Sequence, residues 1–190
     1  MRLPNWLKLF SNRRDVAAFP KNVLVGEGTR MGGYVDVSRA PNSKVRIGAG
    51  CIIDGNISME TNDAILSVGE NVYIGKDTLI VCTKSIEIGS YVLISGGCII
   101  QDSDNHSLDF EIRKHDVKDW LMYKHDWSRH ESKSILIDRG AWLGARVIVL
   151  KGVRVGEKTV VGAGSVVTKS LDSNSVYAGN PAQFIKRIAE

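Results

Sequence analysis

An aliphatic residue returns at every sixth position over a long stretch of this chain. From residue 137 onward these positions hold Ile137, Leu143, Val149, Val155, Val161 and Val167. The residue four places after each of the first five is small or β-branched, namely Ala141, Val147, Val153, Thr159 and Ser165. A six-residue period matches neither the 3.6-residue repeat of a helix nor the two-residue repeat of a strand. It is typical of a β-solenoid, in which short strands turn corners and stack coil upon coil.

The same period begins early in the chain and is interrupted in places. It runs through Val25, Met31, Val37, Ile47, Ile53, Val68, Ile74, Ile80, Ile88, Ile94 and Ile100. Residues 59–64 predict a small loop at a corner. Three units for each coil predict about six coils, stacked at the strand spacing of roughly 4.8 Å.

Three motifs follow one another on this repeat: W-L-G-A from Trp142, V-V-G-A-G-S-V-V-T-K from Val160, and A-G-N-P-A from Ala178. With them the chain resembles the hexapeptide-repeat acyltransferases, in particular the acetyl-CoA-dependent O-acetyltransferases of sugars and polysaccharides. The resemblance covers most of the chain from about Val25. It implies an all-β fold, a left-handed parallel β-helix, whose hand departs from the usual right-handed crossover.

We expect a single domain over residues 1–190. Residues 1–22 would cap the first coil, as solenoid ends require, or make a weak contact with a membrane surface. The β-helix would occupy 23–168 with an insertion at 101–134, and 169–190 would form a C-terminal segment. Its last part, from Ala182 to Glu190, predicts a short C-terminal helix with Phe184, Ile185 and Ile188 facing inward.

Composition narrows the function. The net charge of +4 is scattered, without a basic stripe interleaved with aromatic residues, so nucleic acid is not an expected partner. No apolar run is long enough to span a membrane, and no leader sequence is evident, which favours a cytoplasmic protein. The three cysteines Cys51, Cys82 and Cys98 have no metal-binding spacing, and we expect reduced, packed thiols.

The insertion at 101–134 breaks the period and is rich in charged and aromatic residues, including Trp120, Tyr123 and Trp127. Long insertions in regular solenoids commonly carry function. We predict that it lines a sugar-acceptor pocket, with Trp120 and Trp127 as stacking surfaces and residues 117–123 helical. The alternative is a solvated decoration or a contact between subunits.

His106 lies where the repeat gives way to the insertion, in Q-D-S-D-N-H-S-L. In the family that the chain resembles, a histidine at this place is the general base. An imidazole suits that role because it titrates near neutral pH. The other ring nitrogen needs a partner. Asp104 is the first candidate and Asp102 the second, although both could simply stabilise the turn. No cysteine or serine forms a nucleophile–base pair with His106, so we predict direct transfer in a ternary complex.

The resemblance also assigns the remaining site residues. The backbone N–H of Ala145 would stabilise the oxyanion, and Trp142 would wall the acceptor or pantetheine site. Acetyl-CoA would lie along Gly144, Gly162 and Ala163, followed on the same edge by Ser165, Thr168 and Lys169. The cations Lys169, Lys186 and Arg187 are candidates for its phosphates. Asp77 and Asp102 are candidate acceptor contacts.

The resemblance implies a homotrimer with active sites at subunit boundaries, consistent with the outward apolar residues Ile52, Ile99, Ile148, Val160 and Val166. We expect no metal. Alternatives are an acetyltransferase acting on a xenobiotic hydroxyl or a nucleotide-sugar amine, a zinc enzyme resembling γ-type carbonic anhydrase, and a non-catalytic scaffold. The H-x4-H spacing of His125 and His130 is the basis for zinc, and the sequence assigns no role to His115.

Overall fold

The computed structural model describes residues 19–189, which form a three-sided parallel β-helix. We name the three sides sheets A, B and C in the order in which the chain visits them. Sheet A holds β1 (Val23–Val25), β4 (Lys44–Ile47), β7 (Ile65–Val68), β10 (Ser85–Ile88), β13 (Ile135–Ile137) and β16 (Arg154–Val155). Sheet C holds β3 (Val35–Asp36), β6 (Asn56–Met59), β9 (Leu79–Cys82), β12 (Ile99–Gln101), β15 (Ile148–Val149) and β18 (Val166–Val167).

Sheet B has eight strands because the chain returns to it at its C-terminal end. Its strands are β2 (Arg30–Met31), β5 (Ile52–Ile53), β8 (Tyr73–Ile74), β11 (Leu93–Ile94), β14 (Trp142–Leu143), β17 (Val160–Val161), β19 (Ser175–Ala178) and β20 (Gln183–Arg187). The six strands in each of sheets A and C confirm the prediction of about six coils. The proposed cap at residues 1–22 lies outside the described residues except for 19–22.

The repeated aliphatic residues form columns inside the prism. On sheet B the register aligns Met31, Ile53, Ile74, Ile94, Leu143 and Val161, all of them buried. Each fully buried aliphatic side chain of this size contributes about 1.5–3 kcal/mol. The hydrophobic period therefore sets which residue faces inward in every coil, so that successive coils stack in parallel register.

Close packing between coils explains the glycine that follows several of these residues. A Cβ on Gly144 would lie 2.6 Å from the backbone N of Ala163 in the next coil. Glycine is required there because the two chains approach too closely for a side chain.

All three cysteines are buried and free, as predicted. Burial raises the pKa of the Cys82 and Cys98 thiols, so they stay protonated at neutral pH. A protonated, buried thiol is a poor nucleophile.

The predicted C-terminal helix is wrong. After the Asn180–Pro181 turn the chain forms β20, which pairs antiparallel with β19. Phe184 and Ile185 are exposed, not inward, although the Phe184 ring meets Tyr177 edge-on at 5.7 Å. The free edge of sheet B offers a ladder of backbone hydrogen bonds, and this tertiary pairing outweighs a weak helical pattern.

The prism has three corners, which we name AB, BC and CA after the sheets they join. The insertion leaves the CA corner of the fourth coil, between β12 and β13. It contains α1 (Phe110–Arg113), α2 (Asp116–Leu121) and a 3-10 helix (Trp127–Arg129). The helix predicted at 117–123 is confirmed in α2, shifted by one or two residues.

Candidate active site

The base of the insertion is fixed to the prism by a buried carboxylate. Asp102 is fully buried, and its two oxygens accept the backbone N–H groups of Thr83 and Lys84, each at 2.7 Å. Burial raises its pKa, although these hydrogen bonds oppose the shift. A bridge between Ser103 and Ser132 then closes the two arms of the insertion. The prediction that Asp102 contacts the acceptor, or orients His106, is wrong because its oxygens are committed inside the corner.

His106 comes shortly after these anchoring residues in the chain, and an acidic residue of α2 orients its ring. Its Nδ1 lies 2.7 Å from Oδ2 of Asp116. A carboxylate can only accept a hydrogen bond, so Nδ1 carries the hydrogen and the neutral ring keeps its lone pair on Nε2. The His106 side chain is 42% exposed and that of Asp116 only 5%. The ring therefore presents its basic nitrogen to an open surface while its partner is shielded from water.

The environment of Asp116 keeps it ionised. Burial alone would raise its pKa, but the hydrogen bond from His106 is the main cause that brings the pKa below its ordinary value. An ionised carboxylate is what an imidazole needs when it takes up a proton, because it stabilises the imidazolium.

The prediction that Asp104 orients His106 is also wrong. Asp104 Oδ1 lies 2.7 Å from Nζ of Lys151, which also lies 3.2 Å from Glu131. The hydrogen bonds that Lys151 donates, to Asp104 first and also to Glu131, raise the pKa of Lys151. Asp104 thus helps to join the two arms of the insertion to the fifth coil.

Aromatic rings extend from His106 along the insertion. Trp120 lies 5.1 Å from His106 and 5.0 Å from His125, centroid to centroid, and His125 in turn contacts Trp127 at 4.7 Å. His125 and His130 face each other with 2.9 Å between their Nε2 atoms. Burial is the main cause that lowers the pKa of both rings. Two neutral rings can share this hydrogen bond, since one donates and the other accepts.

This aromatic wall faces the CA corner of the first two coils across a groove of about 730 Å³. The insertion contributes Trp120, Tyr123, His125 and Trp127, and the prism contributes Asp36, Ser38, Arg39, Glu60, Thr61 and Asn62. The groove is of the size that small ligands occupy. Sequence analysis predicted Trp120 and Trp127 as acceptor contacts, and the structure places both on it.

Other predicted residues lie on a different part of the prism. Trp142 faces outward on sheet B with 48% exposure, and Gly144, Ala145, Gly162 and Ala163 form the BC corner of the last two coils. Among residues 19–189 none accepts a hydrogen bond from the Ala145 N–H. Asp77 is exposed at the BC corner of the third coil, with a left-handed φ of 62°.

The residues predicted to continue this edge are dispersed. Ser165 is buried and donates to Gly162 O at 2.6 Å, whereas Thr168 and Lys169 are exposed beyond β18, at the CA corner. Lys186 and Arg187 lie on β20, where Arg187 pairs with Asp172 at 3.3 Å. Ser165 therefore shares the BC corner with Gly162, as predicted, but the prediction that Thr168 and Lys169 continue that edge is wrong, because sheet C separates the two corners.

Within residues 19–189 no three His, Cys, Asp or Glu side chains are grouped so that they could hold a metal ion. Over the same range, no helix is long and apolar enough to cross a membrane.

Sequence reasoning missed Asp116, Asp36, Arg39 and Glu60. Asp116 carries one local signal, an acidic residue in the first turn of a helix. The other three lie in ordinary corners of the repeat, and nothing nearby in the sequence relates them to the insertion.

Comparisons with known proteins agree with this architecture. The family model of the bacterial transferase hexapeptide (six repeats) matches residues 134–169, and that of the hexapeptide repeat of succinyl-transferase matches residues 65–101. A galactoside O-acetyltransferase of Lactococcus lactis is 30% identical over 142 residues, which cover 75% of this chain and 62% of that protein. The chain therefore spans less than two thirds of the length of that relative.

Two solved structures are similar in fold. The polySia specific acetyltransferase NeuO is 25% identical with a TM-score of 0.61, over 87% of this chain and 81% of that chain. The hexapeptide-repeat containing acetyltransferase VCA0836 of Vibrio cholerae, complexed with acetyl coenzyme A, is 22% identical with a TM-score of 0.60, over 98% and 85%.

The insertion on this three-sided β-helix holds a histidine–aspartate dyad next to an aromatic groove. The matched hexapeptide repeats and the relatives agree with this architecture: the chain is similar to hexapeptide-repeat transferases, among them a galactoside O-acetyltransferase.

Proposed function

We propose that the protein transfers the acetyl group of acetyl-CoA to a hydroxyl of a sugar in a polysaccharide precursor. The observation that carries the proposal is the oriented His106, whose Nε2 is left free beside an aromatic groove by the 2.7 Å contact between Nδ1 and Asp116. The galactoside O-acetyltransferase relative and the acetyl-CoA complex of a structural neighbour support the donor and the reaction class.

The chemistry follows from the dyad. Nε2 of His106 takes the proton of the acceptor hydroxyl as its oxygen attacks the thioester, which acetyl-CoA supplies as the activated acyl group. Asp116 stabilises the positive charge that forms on the ring. The N–H of Ala145, the residue that the resemblance suggests for this role, donates to the carbonyl oxygen as negative charge develops there. His106 then returns the proton to the departing thiolate.

The direct test is transfer of labelled acetyl from acetyl-CoA to a panel of sugars, with products identified by mass spectrometry. The panel should contain hexosides, hexosamines, nucleotide-linked amino sugars and hydroxyl-bearing antibiotics. An ester on a sugar hydroxyl is the expected product. An amide product, or acetylation of an antibiotic alone, would contradict the proposed acceptor, and no transfer to any acceptor would contradict the function.

A geometric argument extends the proposal to the assembly. His106 projects from the CA corner, whereas Ala145 lies at the BC corner of the same prism. One side of a coil holds about six residues, so the two corners are roughly 15–20 Å apart. The base and the oxyanion donor of one chain cannot therefore meet at one carbonyl. We propose a homotrimer in which each active site combines His106 of one copy with Ala145 of a neighbouring copy.

Complementation between inactive variants tests this assembly. Neither His106→Ala nor Ala145→Pro, which removes the N–H, should be active alone. Trimers reassembled from an equal mixture should regain roughly a quarter of the wild-type activity, since a quarter of the boundaries pair an intact His106 with an intact Ala145.

A mixture of His106→Ala with Asp116→Ala is the matched control, because both residues belong to one insertion and should not complement each other. Light scattering must show that every variant remains trimeric. A monomeric wild-type protein, or a mixture no more active than its components, would contradict the shared site.

A further inference from the structure

One buried carboxylate in the groove has an unused hydrogen-bonding oxygen. The side chain of Glu60 is only 8% exposed, and its Oε1 accepts the Ser58 hydroxyl at 2.6 Å. Its Oε2 accepts no hydrogen bond from any residue in the range 19–189 and faces Nη1 of Arg39 at 3.5 Å. A buried carboxylate oxygen without a hydrogen bond is costly, so a donor that reaches it is favoured.

The contact with Arg39 does not prevent a ligand from donating a hydrogen bond to Oε2 of Glu60. Its side chain is 62% exposed, and an ion pair with one solvated partner stabilises little. A long, exposed side chain can shift aside, or turn its remaining N–H groups toward a ligand, with little loss of stability. The pair therefore presents both a hydrogen-bond acceptor and several donors at the edge of the groove.

A second carboxylate lines the same wall. Asp36 is half-buried, and its Oδ1 accepts the Ser38 N–H at 2.8 Å. Hydrogen bonds from Ser38 lower the pKa of Asp36, so it is ionised at neutral pH. Opposite it, burial lowers the pKa of His125, so this ring adds no positive charge. The residues that line the groove include two carboxylates, Asp36 and Glu60, and one cation, Arg39, so the groove has one more negative than positive charge.

We propose that this groove binds a neutral sugar ring and discriminates against acidic sugars, an inference that rests on the proposed acetyl transfer. The apolar face of the ring stacks on Trp120 and Trp127, and its hydroxyls donate to Asp36 and Glu60. A ring that carries a carboxylate places a like charge in a partly enclosed space, where repulsion is stronger than in water. Glu60 is thus a specificity-determining residue.

Acceptor kinetics test the inference. The wild-type protein should give a kcat/KM at least roughly tenfold higher for a neutral hexoside than for the matching hexuronide, and sialosides should also be poor acceptors. Glu60→Gln keeps the shape but weakens the acceptor oxygen. It should raise the KM for the neutral hexoside roughly tenfold, with kcat and the KM for acetyl-CoA within a few-fold of wild type.

The matched control is Glu157→Gln, the same change at an exposed glutamate of the sixth coil. It should leave kcat, the KM for the hexoside and the KM for acetyl-CoA unchanged. Thermal unfolding of Glu60→Gln must stay near wild type, and Asp36→Asn provides a second variant if it does not. A hexuronide or sialoside as the preferred acceptor would overturn the inference, as would a wild-type acceptor KM in both variants.

Direct binding separates this inference from the proposed function. Saturation-transfer NMR with the His106→Ala protein reports sugar binding without any transfer. Binding of the hexoside in preference to the hexuronide supports the groove assignment even if no acetyl transfer occurs. Binding of neither sugar, or of the hexuronide more tightly, overturns it, whereas the absence of transfer to any hydroxyl overturns only the proposed function.

Discussion

Replacing His106 by alanine should reduce kcat by roughly two to four orders of magnitude, the usual loss when a general base is removed. The reason is geometric: Nδ1 is committed to Asp116, so Nε2 is the one ring atom that can accept the hydroxyl proton. Acetyl-CoA should still bind with an affinity within a few-fold of wild type, measured by calorimetry.

His115→Ala is the matched control for this substitution. His115 is exposed at the start of α2, and its side chain makes no capping hydrogen bond. Its loss should leave kcat unchanged. Near-wild-type turnover in His106→Ala would remove the mechanism, and a trapped acetyl-enzyme would replace it with a covalent one.

The repeat made most of the fold predictable. Its aliphatic positions, such as Ile74, Ile94 and Leu143, each occupy the inward site of a coil, so a local pattern sets the global architecture. The position of His106, where the repeat ends and the insertion begins, was equally predictable from the sequence. Errors occur where the period ends, as at β20, because there a free sheet edge decides the structure and the local sequence does not.

The partner of His106 was beyond sequence reasoning for a physical reason. Asp104 is two residues away in sequence, but the turn directs it to Lys151 of a later coil. Asp116 is ten residues away and reaches the ring because α1 and α2 fold the insertion back on itself. Likewise Glu60 and Trp120 meet on one groove only because the insertion reaches down over earlier coils. Such contacts depend on tertiary packing, which neither spacing nor composition encodes.

Asp116→Asn should lower kcat by roughly ten- to a hundredfold, less than the loss of His106 itself. The carboxylate fixes the tautomer with the hydrogen on Nδ1 and stabilises the ring when it becomes charged. An asparagine can turn its NH₂ group to Nδ1, which moves the ring hydrogen to Nε2 and blocks proton uptake.

Asp104→Asn is the discriminating control for Asp116→Asn. Because Asp104 pairs with Lys151 and not with His106, its variant should keep kcat within a few-fold of wild type. Asp116→Glu should recover part of the rate, since it restores the negative charge at a longer reach. A change of KM alone in Asp116→Asn, with kcat near wild type, would show that Asp116 only supports the insertion. A large loss of kcat in Asp104→Asn, with Asp116→Asn unaffected, would instead return the orienting role to Asp104.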